Sequence, residues 1–193
     1  MNDARTTTRT NVYAYMLCAL FAALTAVCTF INIPLPFTPI PINLATLSVF
    51  LAGGLLGAKY GAMSQVVYIL IGCIGLPVFS NYQGGLGVLA GPTGGYLVGY
   101  VTATIVIGII LKGILRSQES TKMEVIKIAT ACIGGMITYF TLGTIWFMVL
   151  TRTGPIAALA SCVIPFLPGD ALKITAATLL ITKLRKNVYV KLT

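Results

Sequence analysis

Long apolar runs, separated by short clusters of glycine, proline or charge, set the pattern of this chain. The first covers residues 12–33, behind a polar tail carrying Arg5 and Arg9. It is too long for a signal h-region and lacks a small-x-small cleavage site, so it reads as a first helix. Runs over 43–58 and 62–76, broken at Lys59-Tyr60-Gly61, predict a second and third helix, with Pro77 ending or kinking the third. Residues 95–115 and 125–150 predict a fourth and fifth. After a turn at Thr151-Arg152-Thr153-Gly154, residues 155–164 form a short apolar segment and 169–184 a last helix. The runs are continuous rather than strictly alternating, which argues against a transmembrane barrel. The expectation is an all-α integral membrane protein of six transmembrane helices, a single transmembrane domain over residues 1–193.

Two interruptions are unusual. Pro34-Leu35-Pro36-Phe37-Thr38-Pro39-Ile40-Pro41 has four prolines in eight residues and no charge. Such spacing forbids helix and predicts a stiff, extended, polyproline-like cap. The second is Asn81-Tyr82-Gln83-Gly84-Gly85-Leu86-Gly87 and on to Gly91-Pro92-Thr93-Gly94-Gly95-Tyr96. It lacks the GK[ST] ending and any basic residue, which excludes a phosphate-cradling P-loop. Its glycines suit either a tight bundle turn or backbone lying close against a ligand.

Composition agrees with a membrane protein: 57% of the 193 residues are hydrophobic and only 9% charged, against roughly 25% charged in soluble domains. The formal net charge of +9 would suit nucleic acid, but its distribution follows topology instead. With six spans and the N-terminus inside, the inner side collects Arg5, Arg9, Lys59, Lys112, Arg116, Lys122, Lys127, Lys183, Arg185, Lys186 and Lys191, which is 11 of the 13 basic residues. The positive-inside rule therefore predicts both termini inside and makes a nucleic-acid partner dispensable. Histidine is absent, removing the commonest catalytic base and transition-metal ligand. The five cysteines stand singly in apolar segments without a CxxC, as small core residues rather than metal ligands or disulfides.

The same topology puts the proline segment, the glycine segment and Pro165-Phe166-Leu167-Pro168-Gly169-Asp170-Ala171-Leu172-Lys173 on the outer side. Charges inside apolar surroundings usually have a function. A helix starting near Pro168 presents unpaired backbone N–H groups, with Asp170 in its first turn and Lys173 one turn on. Together they suit a small amphipathic ligand with amide-like groups and a carboxylate, in a pocket near the outer face. The alternative is an i, i+3 ion pair that only pins the helix start. Acid–base catalysis lacks a nucleophile or second carboxylate, since Asp3, Glu119 and Glu124 fall on the opposite side. In the first helix, Ala19, Ala22, Ala23 and Ala26 recur at i, i+3, i+4 and i+7 and make a small-residue face for close approach of another helix, inside this bundle or from a partner.

Four motifs in this order and spacing carry a resemblance. They are Pro34-x-Pro36-x-Thr38-Pro39-x-Pro41-Ile42 leading into Leu51-Ala52-Gly53-Gly54-Leu55-Leu56-Gly57; Gly61-Ala62-x-Ser64-Gln65 with Gly75-Leu76-Pro77-Val78-Phe79; Gly91-Pro92-Thr93-Gly94-Gly95-Tyr96; and Pro165-Phe166-x-Pro168-Gly169-Asp170-x-x-Lys173. Over nearly its whole length the chain resembles the BioY family, the biotin-binding S components of energy-coupling factor (ECF) vitamin transporters.

The resemblance implies a non-enzymatic, cofactor-free subunit of a prokaryotic plasma membrane. It would capture biotin from outside and work with a membrane coupling subunit and two cytoplasmic ATPases, surrounded by membrane lipid. It implies a ligand site of Asp170, Lys173, Asn81, Tyr82, Gln83, Gly91, Thr93 and Asn43, and a docking face for the coupling subunit at Ala19, Ala22, Ala23 and Ala26. Asp170 would accept from ureido N–H groups or orient Lys173, and Lys173 would donate to a ligand oxygen. The chain departs from the family pattern where Asn43-Leu44-Ala45 stands in place of Thr-x-Gln, so Asn43 replaces only part of that contact. A stand-alone carrier, a sibling subunit for another small carboxylated vitamin, and an intramembrane enzyme are the competing expectations.

Overall fold

A computed structural model of the chain describes residues 2–36, 38–114 and 121–189. The side chains of Arg5, Arg9 and Lys186, and the whole of Arg116, Glu119 and Lys191, on which part of the charge count rests, lie outside the described residues. Seven α-helices are described: α1 Asn2–Phe30, α2 Ala45–Cys73, α3 Leu86–Ala90, α4 Gly94–Ile114, α5 Thr121–Thr151, α6 Pro155–Cys162 and α7 Leu167–Tyr189. Five helical stretches among them are long and apolar enough to cross a membrane: Val12–Phe30, Ala45–Cys73, Gly94–Lys112, Lys122–Thr151 and Pro155–Arg185. Helix α4 lies between α2 and α5, α1 packs on α2, and α7 packs on α2 and α5. Phe50, Tyr68, Ile107, Ile128 and Ile181 fill the interior. Leu20, Val27, Ile109, Ile137 and Leu179 stand exposed on the outside, an apolar coat suited to lipid.

The five stretches compare with six expected spans because Ala45–Cys73 takes in both 43–58 and 62–76, as two helical arms joined at a break. The break is not the expected turn at Lys59-Tyr60-Gly61. It falls at Gly57, whose φ of 75° and ψ of −176° belong to a region open essentially to glycine alone. The chain reverses there. A Cβ on Gly61 would come within 3.0 Å of the Ala52 carbonyl oxygen, whereas residues nine apart in a straight helix are separated by roughly 13 Å. Thr25 Oγ1 likewise meets Ser48 Oγ at 2.9 Å and accepts from Gln65 Nε2 at 3.2 Å, so both arms of the bend lie against α1. Helix α4 is seated on the bend. A Cβ on Gly108 would lie 2.0 Å from the Ala58 nitrogen.

The proline segment differs from a free polyproline cap. Strand β1, Asn32–Leu35, pairs antiparallel with β2, Thr38–Asn43, in a register that matches Asn32 to Asn43 and Ile33 to Ile42 and becomes irregular between Ile33 and Leu35. In a two-stranded ribbon each strand is an edge, and edges and irregularities are where proline is tolerated. Helix α7 starts at Leu167, two residues before the expected start, because proline in the first turn costs no hydrogen bond. Arg185, counted among the basic residues of the inner side, is buried and donates to the Leu111 carbonyl in the last turn of α4 at 3.1 Å. The alanine face is divided. Ala22 is buried in the bundle and Ala26 is half-buried, while Ala19 and Ala23 are exposed. Cys18, Cys132 and Cys162 are buried and Cys28 and Cys73 half-buried, and all five are free thiols.

Three alanine substitutions test the bend by thermal unfolding of the detergent-purified protein. Gly57→Ala has open space for its Cβ and destabilises by about 1–3 kcal/mol through backbone strain alone. Gly108→Ala costs about 1–3 kcal/mol by overpacking. Gly87→Ala, in open space with ordinary backbone geometry, stays within about 1 kcal/mol of wild type. A Gly57→Ala protein as stable as wild type would contradict a reversal at that residue.

Candidate ligand site

Helices α2 and α7 both begin beside the β hairpin, and the segment between α2 and α4 folds across the same end. Among them lies a cavity of about 180 Å³. One wall is aromatic, formed by Tyr96 and Tyr100 from α4, Tyr139 and Phe140 from α5, and Phe166 just before α7. Pro39, Ile40 and Pro41 of β2 form another. Aromatic and proline walls give a stiff apolar surface on which a few polar groups set orientation.

The polar floor is built on Asp170 and Lys173, which are 1% and 7% exposed. Lys173 Nζ donates to Asp170 Oδ1 at 2.7 Å and to Thr46 Oγ1 at 3.0 Å. The Thr46 hydroxyl in turn donates to Asp170 Oδ1 at 3.4 Å, and the Tyr139 hydroxyl donates to Asp170 Oδ2. The helical spacing of three puts acid and base on one face of α7. Thr46 comes from the first turn of α2 and Tyr139 from the middle of α5. A buried pair repays its desolvation only with such additional hydrogen bonds. Removing one partner typically costs about 3–5 kcal/mol, because the other charge is left buried alone.

A second polar group sits at the rim. Asn43 ends β2, accepts from the Ala45 backbone N–H at 3.0 Å, and donates from Nδ2 to Ser80 Oγ at 2.9 Å. It thereby ties the hairpin and the start of α2 to the crossing segment. That segment is a tight turn. The Phe79 N–H donates to the Gln83 carbonyl at 3.0 Å, and Asn81 and Tyr82 both have left-handed backbone at φ 58° and 57°. Phe79 is buried and packs edge-on against Tyr68 with ring centroids 5.6 Å apart. The Tyr68 hydroxyl donates to the Val78 carbonyl, which holds the turn over the cavity.

Of the residues nominated from sequence, Asp170, Lys173, Asn43, Asn81, Gln83 and Thr93 surround this one cavity. Two stand apart from it. Tyr82 is 68% exposed and stacks outside on Phe30 of α1 at 5.2 Å, and the Gly91 carbonyl accepts from the Trp146 indole N–H at 3.0 Å. Sequence reasoning missed Thr46, Ser80, Tyr96, Tyr100 and Tyr139. Tyrosines in otherwise apolar spans were the available signal, since a buried hydroxyl needs a partner.

The BioY family model matches residues 2–189. Curated relatives include a biotin transporter BioY of Rhizobium etli, 34% identical over 86% of this chain and 89% of the relative. Another, from Rhodobacter capsulatus, is 36% identical over 84% of this chain and 88% of that protein. A crystal structure of the S component for biotin from an ECF-type ABC transporter superposes with a TM-score of 0.82 at 30% identity, covering 95% of this chain and 97% of that one. With a family model spanning nearly all of its length and relatives this similar along most of theirs, the chain belongs to the BioY family.

Proposed function

We propose that this chain is the biotin-binding S component of an ECF-type transporter, a multi-pass membrane subunit that captures biotin from outside and hands it on for ATP-driven uptake. The observation that carries this reading is the cavity over the buried Asp170–Lys173 pair, in a chain that follows the biotin S-component fold over 95% of its length. The cavity suits a small ligand with an apolar body and a polar, hydrogen-bonding head. Lys173 supplies a donor, the rim amides of Asn81 and Gln83 supply both donors and acceptors, and the aromatic wall supplies apolar contact. Thr93 lies at the glycine-segment side of the same opening, and Gly91 and Tyr82 act from behind it by holding Trp146 and Phe30.

In this reading the whole chain is one transmembrane domain with six crossings, since the two arms of α2 run in opposite directions and each counts as one crossing. Six crossings place both termini inside, with Lys59, Lys112, Lys122 and Lys127 at the cytoplasmic ends and the cavity at the outer face. The energising partner is a membrane coupling subunit carrying two ATPases. Its docking surface is the exposed edge of α1 at Ala19 and Ala23, where small side chains let a partner helix approach closely. Ala22 and Ala26 belong to the packing behind that edge.

Purified protein binds biotin tightly, and Asp170→Asn and Lys173→Ala each weaken binding by about 100-fold or more, measured by isothermal titration in detergent. Wild-type-like affinity in both variants would remove the site assignment. Ala23→Leu leaves binding intact but abolishes biotin uptake in cells expressing the energising module, whereas Ala22→Leu lowers stability because its side chain enters the core. Uptake that survives both Ala23→Leu and deletion of the module would instead establish a stand-alone carrier.

A further inference from the structure

We infer that Tyr139 and Thr46 are positioning residues for the ligand-binding lysine, Tyr139 by holding Asp170 and Thr46 by holding both members of the pair. This rests on the proposed biotin site. An ammonium carries three N–H donors. Two of those on Lys173 are taken, by Asp170 and Thr46, which leaves one for the cavity that Lys173 lines. Where that donor points is therefore decided by the two acceptors. The carboxylate of Asp170 is committed at both oxygens, Oδ1 to Lys173 and Thr46 and Oδ2 to Tyr139. Without the Tyr139 hydroxyl Oδ2 loses its partner and the carboxylate is held through Oδ1 alone. Without the Thr46 hydroxyl the ammonium loses its second anchor.

Tyr139 is itself fixed by its neighbours in the aromatic wall and by α4. Its ring packs against Phe140 at 4.5 Å and edge-on to Tyr100 at 6.2 Å. Its backbone is set by α4, where a Cβ on Gly99 would fall 2.9 Å from the Tyr139 Cα. Thr46 is 6% exposed in the first turn of α2. Three helices are thus locked in register by one carboxylate, and the free donor of Lys173 inherits that register.

Biotin affinity by isothermal titration of detergent-purified full-length protein separates positioning from direct contact. Tyr139→Phe and Thr46→Val each weaken binding by about tenfold, the loss expected for a hydrogen bond to a charged group, while Thr46→Ser stays within about threefold of wild type. In the Asp170→Ala background, titrated at ligand concentrations that still saturate that variant, Tyr139→Phe adds less than about twofold, because no side-chain acceptor is left to hold. Unchanged affinity in Tyr139→Phe overturns the role of Tyr139, and equal affinity of Thr46→Val and Thr46→Ser overturns that of Thr46. A tenfold loss persisting in Asp170→Ala makes Tyr139 a direct ligand contact and also overturns positioning. Should Tyr139→Phe fail to fold, the two Thr46 variants decide alone. Wild-type protein that binds no biotin would sink both the function and this inference, whereas wild-type binding with unchanged variants sinks only the latter.

Discussion

A carboxylate and an ammonium taken out of water are each too costly to leave without partners, and much of the architecture at one end of this bundle follows from meeting that cost. Asp170 and Lys173 share a face of α7, and the hydrogen bonds they make beyond their own pair go to Thr46 at the start of α2 and Tyr139 within α5. Helices α2 and α7 must therefore begin at the same level, and α5 must pass between α4 and α7 at a set height. The β hairpin leads into α2 at that level, and the short helix α6 leads back to α7.

The bend at Gly57 lets one element serve two needs. Its first arm brings Thr46 to the ion pair. Its second returns to the same end, where Tyr68 holds the turn bearing Phe79 and Ser80 over the cavity. A hydrogen-bonded seam of Thr25, Ser48, Gln65 and Thr29 ties both arms to α1. In the proposed function, then, the helix offering its edge to the coupling subunit is bonded to the same arms that frame the ligand. That suits a subunit that both binds a ligand and docks on a partner.

What the sequence made legible was local. Asp170 and Lys173 stood out because charges are rare in apolar runs, and their spacing of three fixed their common face. Thr46 and Tyr139 did not, since their partner lies 124 and 31 residues away and nothing in a linear pattern joins them. The proline segment read correctly as extended, but its pairing depends on a partner strand that proline content does not reveal. The chain reversal in α2 comes at Gly57, before the expected turn at Lys59-Tyr60-Gly61, because Gly53, Gly54 and Gly57 look alike in sequence, and only the last adopts positive φ while the first two admit close packing. The alanine stripe split because Ala19 and Ala22 differ by about 60° around the helix, enough for the bundle surface to pass between them. Tyr82 was grouped with Asn81 and Gln83, but neighbours in a tight turn point in different directions.

In the proposed function this cavity takes biotin and leaves it chemically intact. Mass spectrometry of small molecules released from the protein after purification in detergent, from cells grown with biotin, tests that most directly. Unaltered biotin at a molar ratio approaching one is the predicted result. A different compound, a chemically altered one, or no ligand together with failure to bind added biotin would contradict it.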